Sequence, residues 1–177
     1  MAVHGVSIAV PEPWGGQLQR QREDVGDPMA QAIPPHITLM PPTEIVPQEM
    51  DRFVHHLEMV AAQHGPFTIH LRGTGSFRPV SRVVFVQVSE GIPMCERLEQ
   101  AVRRGPVSRD LEFPYHPHVT IAHDIDESGL DRAFDDLAGF EATFEVSRFH
   151  LYDHGSDGVW RPMVDFDLTG ERLQPAS

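Results

Sequence analysis

The chain has 177 residues, 40% of them hydrophobic, which is enough for one compact unit with a real core and too little for two independent domains of ordinary size. Its net charge of −12, with 26 acidic residues against 14 basic ones, excludes broad sequence-independent duplex DNA binding, which depends on cations neutralising phosphates. The single cysteine, Cys95, excludes an internal disulfide and a cysteine metal cage, and the absence of a long apolar run or a leader-like N-terminus predicts a cytoplasmic protein without membrane contact.

In chain order, residues 3–10 form an apolar run closed by Pro11 and Pro13, which predicts a buried strand. Residues 15–25 are polar and predict a weakly amphipathic helix. Asp27-Pro28 opens an extended approach in which Pro34 and Pro35 hold the backbone out of the α region. His36, Ile37, Thr38 and Leu39 then alternate with the period of a half-buried strand. His36 and Thr38 therefore share one face and the aliphatic pair the other. Pro41 and Pro42 are expected to end this strand. Residues 49–64 carry Met50, Phe53, Val54, Leu57, Val60 and Ala61 at helical spacing, the clearest amphipathic helix in the chain, stopped by Gly65-Pro66. Residues 67–71 alternate again, and Gly73-Thr74-Gly75-Ser76 reads as a turn.

From Arg82 the layout restarts. Residues 82–88 repeat the buried strand, 93–104 the helix, and 112–117 the extended approach. The segment Pro117-His118-Val119-Thr120-Ile121 then nearly copies Pro35-His36-Ile37-Thr38-Leu39. Ser128 is the expected N-cap of a helix whose buried stripe is Leu130, Ala133, Phe134 and Leu137. Residues 144–152 alternate as one strand, Gly155 and Gly158 mark a turn, and 160–168 is a last strand. The expected organisation is a single α+β unit over 1–169, internally duplicated into two lobes at about 3–80 and 82–168. Each lobe would be an antiparallel-rich sheet with helices on its outer side, and a flexible tail would follow at 170–177. The two His-x-Thr strands would line one central cleft.

Two histidines across a cleft suit a reaction in which one atom loses a proton while another gains one, because imidazole titrates near neutral pH. A hydroxyl beside each completes a four-group cradle for a tetrahedral anion, and the chain lacks the Gly-x-Ser-x-Gly elbow of an acyl-transfer enzyme. Phosphoryl chemistry is the better fit.

The paired motifs, with the lead-in from Asp27-Pro28 to Ile33-Pro34-Pro35-His36-Ile37-Thr38-Leu39, resemble the 2H phosphoesterase superfamily, which includes bacterial 2′-5′ RNA ligase-like proteins and cyclic phosphodiesterases. The resemblance spans roughly residues 3–168. It implies metal-independent opening of a 2′,3′-cyclic phosphate on a nucleotide or RNA end, or a related 2′-5′ phosphodiester reaction, by a cofactor-free and monomeric enzyme. His36 and His118 match the family's catalytic histidines, and Thr38 and Thr120 its phosphate-binding hydroxyls. By that resemblance His118 is expected as the base and His36 as the acid. One position departs: ligase members commonly carry Arg three residues after the second Thr, where this chain has His123. Tyr115 and His123 are further candidate substrate contacts.

Other readings compete. The same cradle could hold a nucleotide or phosphate without turning it over. His116, His118 and His123 with Asp124 and Asp126 invite a metal site, but no third ligand falls at a familiar spacing. Phe77, Phe149, Tyr152 and Trp160 could join Tyr115 in a base-stacking wall, although core packing is the ordinary role of such residues.

Overall fold

The alternation and the proline and glycine stops are realised in a computed structural model, which describes residues 2–173. The elements run β1 (Ala2–Ala9), α1 (Trp14–Asp24), β2 (His36–Ile45), α2 (Pro47–Gln63), β3 (Phe67–Ser76), β4 (Val83–Glu90), α3 (Ile92–Arg103), β5 (His118–His123), α4 (Glu127–Asp136), β6 (Glu141–Val146), β7 (Arg148–His154) and β8 (Trp160–Asp167). All eight strands join one antiparallel sheet in the order β6-β3-β4-β5-β2-β1-β7-β8.

The fold class is α+β, but the expectation of a separate sheet in each lobe is corrected. Outward from the centre, one half of the sheet reads β5-β4-β3-β6 and the other β2-β1-β7-β8. Within each sequence repeat the opening strand pairs with the His-Thr strand, β1 with β2 and β4 with β5. The following strand crosses over: β3 of the first repeat covers β4, and β7 of the second covers β1. Each opening strand would otherwise present an unpaired edge, which sheets cover where they can.

The sheet also has to curl. Only Ser147 separates β6 from β7, yet they stand first and seventh in the order. Laid flat, six strand spacings would put them roughly 29 Å apart, whereas two Cα steps reach about 7 Å. The result is an open half-barrel whose ends meet at Ser147, where Leu168 N donates to the Ser147 carbonyl at 2.9 Å. The single strand expected over 144–152 is for this reason two strands.

The helices cover the apolar face. α1 and α4 pack against β5, α3 against β2, and α2 against α3 and β8. Ile37, Leu39, Val119 and Ile121 are all buried in one core with Leu18, Phe53, Leu98 and Leu130. Alternation then turns His36, Thr38, His118 and Thr120 to the opposite, concave face.

Local details depart from expectation for physical reasons. Pro41 and Pro42 do not end β2. They fall between Met40, paired with Val6, and Thr43, paired with His4, in a bulge where no ladder donor is needed. The glycine-rich 73–76 segment is strand, with Gly73 at φ +71° in the bulge that separates Leu71 from Thr74. The N-cap of α4 is Asp126, which accepts from Gly129 N at 2.9 Å, and not Ser128. Thr169 donates to the Ala61 carbonyl, and Gly170, expected to start the flexible tail, donates to the His64 carbonyl at the end of α2. The rest of that expected tail, 174–177, lies outside the described residues. Among the described residues no helix is long and apolar enough to cross a membrane.

One buried ion pair ties the two halves together. Asp27 accepts from Arg22 Nε at 2.7 Å, from Met29 N at 2.9 Å and from His123 N at 3.0 Å, so α1, the approach to β2 and the end of β5 meet at one carboxylate. Asp27→Ala leaves Arg22 buried without its counter-charge, and breaking such a pair typically costs about 3–5 kcal/mol. Urea unfolding of the two proteins measures this, and a loss well below 1 kcal/mol would show the pair to be dispensable.

Candidate functional site

β2 and β5 touch at one point. Ile37 pairs with Val119, the only residue pair bridging the two strands among the described residues. That antiparallel register sets His36 towards Thr120 and Thr38 towards His118 across the junction of the two strands. Two imidazoles and two hydroxyls therefore form one patch, each histidine facing the other strand's threonine. On either side of this contact the strands part, which opens the cleft.

The approach segments fix the rings. His36 Nδ1 bonds the Pro34 carbonyl at 2.7 Å, and His118 Nδ1 bonds the His116 carbonyl at 2.7 Å. A carbonyl can only accept, so in each neutral ring Nδ1 carries the hydrogen and Nε2 the lone pair. Pro35 and Pro117 sit between ring and carbonyl in both copies, and their fixed φ holds the preceding residue where its carbonyl can be reached. A proline before each histidine was the sequence signal for this shared tautomer.

Both rings are harder to protonate than a free imidazole. Burial lowers the His36 pKa to about 4 despite the Pro34 hydrogen bond, with smaller contributions from the charges of Arg22 and His118. Burial also lowers that of His118, against the hydrogen bond to His116, whose own charge adds to the depression. Aromatic rings supply the shielding. Trp160 lies 4.5 Å from His36, while Phe77 and Phe85 lie 4.9 and 5.2 Å from His118. Trp160→Ala opens His36 to water and should raise its pKa from about 4 towards the ordinary value near 6.5. Ring-proton NMR titration reads this directly, and a curve that stays near 4 would place the cause elsewhere.

A cavity of about 650 Å³ opens beside His118 and Thr38, between Pro41, Phe77 and the 109–116 segment. Its walls are mostly apolar. Tyr115 is part of this wall, and its hydroxyl donates to the Thr38 carbonyl at 2.8 Å, tying the second approach segment to the first His-Thr strand. Burial holds the Tyr115 hydroxyl well above its usual pKa, so it acts as a neutral donor.

Thr38, His118 and Tyr115 thus line the cavity, whereas His36 and Thr120 belong to the cradle but not to the cavity wall. His123 does not line the cavity. It is exposed at the end of β5, with its backbone N–H held by Asp27. Among the described residues no three His, Cys, Asp or Glu side chains converge as a metal-ligand group. Of the aromatic candidates, Phe77 and Trp160 flank the histidines, while Phe149 stacks on Phe166 in the core. Sequence reasoning missed Phe85, which pairs with Thr120, and Ser7, a buried hydroxyl paired with Thr38. Both sit in apolar runs that read only as core. Arg109 also lines the cavity wall.

Comparison with known proteins gives consistent relatives. The family model for the 2′-5′ RNA ligase superfamily matches residues 10–158. A Bacillus mycoides protein named "Putative phosphoesterase" is 31% identical over 147 residues, covering 82% of this chain and 85% of that one. A Bacillus cereus protein of the same description is 30% identical over 144 residues, covering 80% and 83%. Among solved structures, TT0787 of Thermus thermophilus superposes with a TM-score of 0.69 at 23% identity, over 97% of this chain and 100% of that one. LigT of Escherichia coli, complexed with 3′-AMP, gives 0.66 at 20% identity, over 95% and 98%.

Proposed function

The chain belongs to the 2′-5′ RNA ligase superfamily, and from that premise we propose that it is a phosphodiesterase opening 2′,3′-cyclic phosphates of nucleotides or RNA ends by paired-histidine acid and base catalysis, without a metal. The observation that carries this reading is the cradle itself. Two histidines held in one tautomer sit on adjacent strands, in a register that sets each towards the other strand's threonine. The LigT structures hold 3′-AMP, phosphate, ATP and NADP+, which supports a nucleotide phosphate as the occupant.

In this mechanism Thr38 and Thr120 donate to the non-bridging oxygens as charge builds on them. One histidine takes a proton from water, which attacks phosphorus. The other gives a proton to the departing ribose oxygen, leaving a monoester. Two features support assigning His36 as base and His118 as acid, the reverse of the order expected from resemblance. His36, with a pKa of about 4, is neutral over nearly the whole working range, as a base must be. The cavity lies on the His118 side, so the nucleoside that carries the leaving oxygen has room there.

The test is hydrolysis of nucleoside 2′,3′-cyclic phosphates in EDTA. Turnover that survives chelation is expected, and turnover that returns only with added metal would overturn the mechanism. One observation favours the second reading, a phosphate-binding module. Both imidazoles resist protonation, so the free site holds little acid at neutral pH. Calorimetric binding of a cyclic nucleotide with no product after long incubation would decide for it.

A further inference from the structure

The cavity beside His118 carries more information than the phosphate cradle, because it constrains what is attached to the phosphate. Its volume, about 650 Å³, falls in the range of sites that enclose one small molecule. Its wall is apolar where a flat ring would lie, with Phe77, Leu111 and Pro114, and its exposed residues Val80 and Phe113 retain 73% and 60% of their surface. These two side chains continue the apolar wall out to the mouth of the cavity.

The charges around it point the same way. Among the described residues Arg109 is the only arginine in the wall, and it donates to the Pro42 carbonyl and to Thr43 Oγ1. Asp110 and Glu112 flank it in the same wall. The nearby arginines are committed elsewhere: Arg78 is paired with Glu127 and Asp131, and Arg82 with Glu127 and Asp124. A strand of nucleic acid needs a trail of cations along its backbone. Here the trail is one guanidinium long and then turns acidic.

Resting on the phosphodiesterase reading, we infer that this cavity selects substrate by length. It takes the single nucleoside of a mononucleotide cyclic phosphate, with at most one further anionic group at Arg109, and discriminates against a chain that continues through more phosphates. The flat apolar wall favours the larger purine face over a pyrimidine.

The experiment is one length series, from nucleoside 2′,3′-cyclic phosphates through oligoribonucleotides of two, five and ten residues ending in the same cyclic phosphate. Hydrolysis and equilibrium binding are both measured at low salt. Affinity and kcat/KM are expected to be highest for the mononucleotide and at least tenfold lower by five residues. The Asp110→Asn, Glu112→Gln double variant should narrow that gap, and Phe113→Ala should raise KM for the mononucleotide more than it lowers kcat. Values that stay level or rise with length would overturn the inference. If nothing in the series is hydrolysed, the phosphodiesterase reading fails, and the order of binding affinities still decides the question of length.

Discussion

His118→Ala is expected to lower kcat on a nucleoside 2′,3′-cyclic phosphate by about 10² to 10⁴, the usual contribution of one positioned acid or base, and His36→Ala by a similar factor. The two losses should separate on a second substrate. An aryl phosphodiester with a good leaving group departs as a stable phenolate and needs no proton. On that substrate His118→Ala should recover most of its rate, whereas His36→Ala, still lacking a base for water, should not. The opposite pattern would exchange the roles of the two rings. Full turnover by both variants on both substrates would remove the histidines from the mechanism altogether. Each ring is only half-buried, so the variants should fold, and thermal melting checks that they do.

Why these residues could be found from sequence, and others not, follows from how far each interaction reaches along the chain. The alternation around His36 and His118 is local, and each strand's faces are set by its own neighbours. The recurrence of one local pattern in the same order twice was legible for the same reason. Strand partners were not. That β3 covers β4, and that β7 returns to β1, depends on curvature, which no single segment encodes. The same holds for Trp160, far from His36 in the chain but in ring contact with it. Its position follows from two steps, the pairing of β7 with β1 and of β8 with β7. Pro41 and Pro42 misled because a proline stop is the ordinary reading, and only the register with β1 reveals that the ladder skips them. Prolines gave the most local help where they precede the histidines, since Pro35 and Pro117 preset the carbonyl that fixes each ring.

The pH dependence of kcat/KM should expose the electrostatics of the site before substrate enters it, because it reports the groups of the free enzyme. The proposed mechanism requires His36 neutral, so the acid limb should rise through about pH 4. It also requires His118 protonated, so the basic limb should fall through a value below 6.5. The optimum is therefore acidic. Each unit above the second pKa costs tenfold. Stability moves against activity in this window. A histidine whose folded pKa is depressed stabilises the fold above its unfolded value and loses that contribution as pH falls from about 6.5 to about 4. For His36 this amounts to on the order of 3 kcal/mol. A bound phosphate reverses the pressure, since its negative charge favours the imidazolium and raises both pKa values. The kcat profile should then lie to the alkaline side of the kcat/KM profile. Binding of inorganic phosphate at pH 7 should take up a proton, measurable by calorimetry in buffers of different ionisation enthalpy. An alkaline optimum in kcat/KM together with no proton uptake would mean that His118 is already charged in the free enzyme. The acid would then be supplied by the protein alone rather than drawn in with the substrate.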